Sequence, residues 1–74
     1  MDINELPDFL SSYKAAMARK RGLRRYHIEI STEHAAPFFL MMGNEFDADC
    51  KVVHQALTLS GLIERMKKDI DETP

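Results

Sequence analysis

The sequence predicts a small, mainly helical α+β domain. An N-terminal helix, one short strand or β-hairpin and a short helix precede a long C-terminal amphipathic helix. Three patterns predict this order: an apolar stripe at helical spacing near the N-terminus, an alternating segment after it, and a six-position apolar seam in the last third. The chain has 74 residues and one cysteine, so no intrachain disulfide supports it. A domain of this size buries only about 60% of its unfolded surface, so we expect tight helix packing or a second subunit to stabilise it.

The first element is predicted to be a helix over residues 4–21. Its apolar stripe has steps of four, three and four residues, along Leu6, Leu10, Tyr13 and Met17. Asp2 or Asn4 is expected to cap its start, with Pro7 in the first turn, where a missing N–H costs little. Gly22 is expected to end it with a left-handed backbone.

The second element is predicted to be a strand over residues 24–31. Tyr26, Ile28 and Ile30 alternate there with the polar side chains of Arg25, His27 and Glu29. A lone strand would leave backbone donors and acceptors unpaired on both edges. Its partner could be a segment of the same chain or the same strand of a second copy.

Residues 35–42 form an apolar run that periodicity alone does not assign. The favoured interpretation is a short helix beginning near Pro37, because alanine, leucine and methionine favour helices and Gly43 with Asn44 can end one. The alternative is a buried strand over residues 38–42. That strand would pair with residues 24–31 through a loop at 32–37.

The last third is predicted to be one long helix, capped by Asn44 or Asp47 and ending near Ile70. Its seam has steps of four, three, four, three and four residues, along Val52, Ala56, Leu59, Ile63, Met66 and Ile70. The N-terminal stripe is shorter than this seam, so the excess apolar surface predicts a homodimer. The whole chain is expected to form one domain, with residues 69–74 as a frayed tail.

A basic segment joins the first two elements. Six of the ten basic residues lie within positions 14–25, and no acidic residue interrupts them. The residues predicted to contact a partner or nucleic acid are Arg19, Lys20, Arg21, Arg24, Arg25 and His27. Three interpretations are open: a solvated helix end matched to the helix dipole, an arm that contacts phosphates, or a site for an acidic protein. The net charge of −2 is unlike that of most nucleic-acid-binding domains.

The order of a basic arm, a strand and two helices resembles that of ribbon-helix-helix DNA-binding proteins, over residues 24–66. The resemblance implies that two copies pair their strands into a ribbon that reads the major groove. Arg25, His27 and Glu29 would then face DNA. Glu29, Pro37 and the additional N-terminal helix depart from the family's pattern.

No pattern indicates a metal, cofactor or catalytic site. Cys50 and His54 have a workable zinc spacing on a helix, but nothing forces His27 or His34 to join them. The chain also has only three glycines and little bulk to wall off a cleft, so we predict no catalytic residues, no cofactor and no bound metal.

The longest apolar run, at residues 35–42, is far shorter than the roughly 20 residues that span a bilayer. The N-terminus carries acids where a signal peptide has bases, so the sequence predicts a cytoplasmic protein without a membrane partner. The predicted function is a small non-enzymatic regulatory or inhibitory binding protein, of the kind mobile elements encode, acting through protein–protein contacts. Its partners would be itself and another protein. The alternative is a dimeric, ribbon-helix-helix-like DNA-binding regulator.

Overall fold

The computed structural model describes residues 3–44 and 50–72, which form an α-β-β-β-α fold. A 3-10 turn at Ile3–Glu5 leads into helix α1 (Leu6–Arg21), and helix α2 (Leu59–Asp71) closes the described part. Between the helices lie strands β1 (Arg24–Ile30), β2 (Phe38–Asn44) and β3 (Cys50–Ala56). The three strands form one antiparallel sheet in the order β1-β2-β3, so β2 is central.

The expected mainly helical fold with one short strand is wrong, and the first departure is at residues 37–42. The favoured short helix does not form there, and the alternative hairpin does. β2 pairs with β1 over the whole strand, and the Ser31 N–H donates to the Pro37 carbonyl oxygen at 2.8 Å to close the loop. Pairing with β2 satisfies the backbone groups that a lone β1 would leave open, and this outweighs the helix propensity of the run.

The second departure is the C-terminal helix, which was expected to start near Asn44 or Asp47. Asn44 is the last residue of β2, and Asp47 lies outside the described residues. The helix begins at Leu59, where Thr58 is the N-cap and its Oγ1 accepts a hydrogen bond from the Gly61 N–H at 3.0 Å. The residues before it form β3, because the β-branched pair at positions 52 and 53 favours a strand.

Both helices pack on the same face of the sheet. The buried residues of the core come from both helices and from two strands, and they are Tyr13, Met17, Leu40, Ala56, Leu62 and Met66. The half-buried residues of β1 and β2 that pack on this core are Tyr26, Ile28 and Phe38, which all lie on the Leu40 face. Among the described residues, the opposite face of the sheet contributes no side chain to this core.

Helix α1 confirms the predicted stripe but not the predicted cap. Tyr13 and Met17 are fully buried, and Leu10 packs beside them. The helix begins at Leu6 with Glu5 at the N-cap, and no side chain caps it, so the expected Asn4 cap is wrong. Asp2 lies outside the described residues. Within the described ranges, no helix has the length and apolar character needed to cross a membrane.

Gly22 ends α1, and replacing it with alanine is expected to destabilise the fold. Its φ of 77° and ψ of −171° place it in a region that essentially only glycine occupies, and its N–H donates to the Ala18 carbonyl oxygen. A Cβ there would touch nothing within 4 Å, so the cost is backbone strain alone, about 1–3 kcal/mol. Urea denaturation would measure it.

Gly61→Ala is the matched control for that substitution. The added Cβ gains helix propensity of about 1 kcal/mol but meets Thr58 Oγ1 at 3.1 Å, so the two effects offset each other. We expect its unfolding free energy to stay within about 1 kcal/mol of the wild type. Equal losses in both glycine variants would contradict the assignment of strain to Gly22.

Candidate functional site

The sheet face turned away from the helices carries three rows of side chains, which we call the open face. The strand registers align Arg25 with Gly43 and Cys50, His27 with Met41 and Val52, and Glu29 with Phe39 and Gln55. Residues paired directly across antiparallel strands share a face. Because β2 pairs with both β1 and β3, these nine residues form a grid of three rows and three columns.

The centre of the open face is apolar. Phe39 and Met41 on the central strand are half-buried, and Val52 beside them is 53% exposed. His34, from the loop between β1 and β2, lies edge-on to Phe39 with ring centroids 5.2 Å apart. In residues 3–44 and 50–72, no helix covers this centre. Contiguous exposed apolar surface of this kind is typical of interaction sites.

Opposite charges lie at the two ends of the β1 column. Arg25 occupies the first row and Glu29 the third. Arg25 Nε donates to the Asn44 carbonyl oxygen at 3.1 Å, and His27 Nε2 lies 2.9 Å from Glu29 Oε1. The open face therefore has a positive corner and a negative corner on either side of its middle row.

A depression of about 300 Å³ lies at the Gly43 end of this face. It is lined by Arg25, Tyr26, His27, Gly43 and Cys50. Gly43 has no side chain, whereas the other two outward residues of β2 are a methionine and a phenylalanine. The central column therefore has its largest side chain at one end and a hollow at the other.

A second group of polar residues lies among the helices and β3, and we call it the polar cluster. Its centre is Asp69 on α2, whose Oδ2 accepts a hydrogen bond from the Tyr13 hydroxyl at 2.6 Å and lies 2.6 Å from His54 Nε2. Arg21 Nη1 donates to the Tyr13 hydroxyl oxygen at 3.0 Å, and Arg21 Nη2 is 3.7 Å from Asp69 Oδ2. The Asp69 side chain is 14% exposed.

The contacts within the polar cluster shift the pKa values of Asp69 and Tyr13. Burial alone would raise the pKa of Asp69, but the hydrogen bonds from Tyr13 and His54 and the nearby Arg21 charge outweigh burial and lower it. Burial and the hydrogen bond to Asp69 raise the pKa of Tyr13 far above its ordinary value. Asp69 is thus held ionised and Tyr13 neutral over the whole physiological range.

This arrangement is suited to holding elements together. Tyr13 and Arg21 come from α1, His54 from β3 and Asp69 from α2, and Tyr13, His54 and Arg21 all meet the same carboxylate oxygen. The Tyr13 ring also packs edge-on against Tyr26 of β1, with ring centroids 5.0 Å apart. We therefore interpret the cluster as a clamp between the helices and the sheet.

Sequence reasoning missed the polar cluster. Tyr13 was assigned to the apolar stripe, and Asp69 was expected to begin a frayed tail. In the structure α2 continues to Asp71. The bonded pair lies 56 positions apart in the chain, and no local pattern signals so distant a contact.

The basic segment does not form one surface. Arg21 points into the polar cluster, Arg24 Nη1 donates to Asn44 Oδ1, and Arg25 donates to the Asn44 carbonyl oxygen. Arg19 and Lys20 are exposed on the last turn of α1. Contacts of this segment with DNA or an acidic protein stay predictions.

The layout expected from the ribbon-helix-helix resemblance is wrong. β1 pairs with β2 of its own chain, and a third strand stands where that resemblance expects a helix. Arg25, His27 and Glu29 do share one face, as the alternation predicts. That face is the open face of a three-stranded sheet.

The other candidate residues are separated. Cys50 pairs with Gly43 on the open face and His54 with Leu40 on the core face, because the register shift between Leu40 and Met41 turns the second half of β3 over. His27 and His34 contact Glu29 and Phe39 instead. In the described part of the chain, no three potential metal ligands lie together.

The predicted seam is divided between two elements. Val52 and Ala56 lie on β3, with Val52 on the open face. On α2, Ile63 and Met66 are buried and Leu59 and Ile70 are half-buried within the same chain. Because its own chain already covers much of the seam, the seam no longer supports the predicted homodimer.

A comparison with protein-family models, with curated proteins and with solved structures finds no match for this chain. The fold and the open face define it as a small α+β protein with a one-sided antiparallel sheet.

Proposed function

We propose that this chain is a small non-enzymatic binding protein, regulatory or inhibitory, that acts through protein–protein contacts made by the open face. The observation that carries the proposal is the one-sided sheet. Both helices pack on one face, and the other presents an apolar centre of Phe39, Met41 and Val52 to solvent. A small domain does not gain stability from apolar side chains that it leaves uncovered, so a partner surface is their natural complement.

The composition of the open face fits a protein partner. Its centre lacks charge, and its margin carries Arg25, His27 and Glu29. Protein interfaces have the same organisation, with an uncharged centre enriched in aromatic residues and methionine and a polar margin. Met41 adds a flexible thioether in the middle of the grid, which adapts to the shape of a partner.

Site-specific photo-crosslinking would test this proposal. A photoactivatable methionine analogue at position 41 is expected to form covalent adducts with protein in cells that produce the chain. The matched control is a photoactivatable side chain in place of Lys68, an exposed residue of α2 away from the sheet. We expect adducts from position 41 and few or none from position 68. No adduct above the control would overturn the proposal.

A further inference from the structure

We propose that the open face binds a second copy of this chain, in a two-fold symmetric dimer that packs sheet against sheet. This inference rests on the proposed function, because it names the partner of the same face. It differs from the homodimer expected from the C-terminal seam, whose residues lie largely within their own subunit. Two observations carry it: the position of charges on β1 and the position of the hollow on β2.

A two-fold axis would bring the charged residues of β1 opposite residues of the opposite charge in the second copy. Consider an axis in the plane between the sheets, running along the middle row of His27, Met41 and Val52. Rotation about this axis exchanges the first and third rows while each strand stays over its own copy. Arg25 then lies over Glu29 of the second copy, and Glu29 lies over Arg25 of the second copy. An isologous interface needs this kind of self-complementarity.

The same axis would bring the largest outward side chain of β2 opposite the hollow of β2 in the second copy. Exchange of the outer rows places Phe39 over Gly43 of the second copy. Gly43 is itself buried, and the depression of about 300 Å³ that it lines with Arg25, His27 and Cys50 would receive the Phe39 ring of the second copy. Met41 meets Met41 of the second copy at the centre, where two thioethers repack easily.

The other in-plane axis gives a poorer match. An axis along β2 would keep the rows and exchange β1 with β3. Arg25 would then face Cys50, and Glu29 would face Gln55, so neither charge would meet its opposite. Phe39 would also meet Phe39, while the two hollows would face each other. Charge and shape therefore select the same axis independently.

The size of the face predicts a weak dimer. Three strands of seven residues cover a footprint of roughly 24 by 14 Å. Stable specific interfaces bury about 800 Å² on each partner, which exceeds this footprint. We therefore expect a dimer that forms in the micromolar to millimolar range of protein concentration.

A charge swap tests the pairing by sedimentation velocity over that concentration range. Arg25→Glu alone places like charges opposite each other twice in the dimer, and so does Glu29→Arg. Each single variant is expected to weaken dimerisation by about tenfold or more. The double variant Arg25→Glu/Glu29→Arg restores opposite charges and is expected to recover most of the wild-type affinity.

Two further variants complete the test. Lys68→Glu makes the same change of net charge as Arg25→Glu but lies on α2, and it is expected to dimerise like the wild type. Phe39→Ala removes the side chain that enters the hollow, and it is expected to weaken dimerisation by about tenfold or more while circular dichroism shows the native fold. A dimer as tight as that of the wild type in Phe39→Ala, or no rescue by the double variant, would overturn the proposal.

The outcome separates this inference from the proposed function. A wild-type chain that stays monomeric at millimolar concentration, yet gives crosslinks from position 41 to a different protein, overturns the dimer alone. Crosslinks between two copies of the chain, lost in Arg25→Glu and recovered in the double variant, support both.

Discussion

Leu40→Ala is expected to destabilise the fold by about 3 kcal/mol, whereas Met41→Ala, one residue further along β2, costs less than about 1 kcal/mol. Leu40 is fully buried among both helices and the sheet, so its truncation removes transfer energy and leaves a cavity. Met41 lies on the open face, where removal of its side chain leaves little or no cavity. Urea denaturation followed by circular dichroism would measure both changes.

Leu40→Val keeps this comparison measurable. A single core of this size rarely supplies more than about 3–5 kcal/mol, so Leu40→Ala can leave the chain largely unfolded in water. The valine variant removes one methylene and is expected to cost about 1 kcal/mol. Its loss should still exceed that of Met41→Val measured under the same conditions.

The stability losses of Leu40→Ala and Met41→Ala also distinguish the observed strand from the helix that the sequence favoured at residues 37–42. A strand places Phe38, Leu40 and Met42 on one face, because side chains alternate with a period of two. A helix would instead place Phe38, Met41 and Met42 on one face. A larger loss from Met41→Ala than from Leu40→Ala would therefore contradict the structure at its central strand.

The first helix and first strand could be predicted because each buries one side against the core. On α1, Tyr13 and Met17 are buried whereas polar residues such as Ser12 and Arg19 are exposed, so a helical period appears in the sequence. On β1, Tyr26 and Ile28 face the core while Arg25 and His27 face outward, so the period is two. A helix or strand that is buried on one side only therefore shows its own period in the pattern of apolar residues.

The second strand could not be predicted in this way because both of its faces are apolar. Leu40 lies in the core, and its neighbours Phe39 and Met41 form the centre of the open face. A run with apolar residues on both sides shows no period and fits a buried helix equally well. The apolar character of both faces of β2 thus prevents its prediction from the sequence and also suggests its binding role.

The third strand was assigned to a helix because an irregularity breaks its alternation. The register shifts between Leu40 and Met41 of β2, so Val53 on β3 has no directly opposed residue. Val52 and His54 therefore lie on opposite faces although they are two positions apart. Val52 and Ala56 also continue the spacing of α2 by coincidence, which extended the apparent seam.

The open face itself could be predicted only in part. The alternation of β1 identifies Arg25, His27 and Glu29 as outward residues. Their neighbours Phe39, Met41 and Gly43 become visible only when the register between the strands is known. Register depends on the loop at residues 31–37 and on pairing across the sheet, and neither leaves a local signature in the sequence.

The second large effect is expected at the polar cluster, where Asp69→Ala should destabilise the fold by about 2–3 kcal/mol. The substitution removes the acceptor for the Tyr13 hydroxyl proton and the partner of His54 Nε2, and Arg21 can only donate to the Tyr13 oxygen and so cannot replace that acceptor. Asp71→Ala is the matched control on the same helix. Asp71 is exposed, so its loss should change stability by less than about 0.5 kcal/mol.

The pH dependence of stability gives this prediction a second readout. The pKa of Asp69 is lowered in the folded protein, so its contribution is fully present above its ordinary pKa of 3.8 and is lost as the pH falls below that value. The wild type should therefore lose its advantage over Asp69→Asn as the pH falls below about 4. A constant difference between wild type and Asp69→Asn down to strongly acidic pH would contradict the role of the ionised carboxylate.

Tyr13 gives the opposite dependence at alkaline pH. Its pKa is raised in the folded protein, so its contribution is fully present below its ordinary pKa of 10.0 and declines as the pH rises above that value. The unfolded chain then releases a proton that the folded chain retains. Tyr13→Phe cannot ionise, so it should lack this part of the alkaline loss of stability. Asp69 and Tyr13 share one hydrogen bond between α1 and α2. A loss of stability in acid that requires Asp69, together with a loss of stability in alkali that requires Tyr13, would therefore show that this bond holds the two helices together.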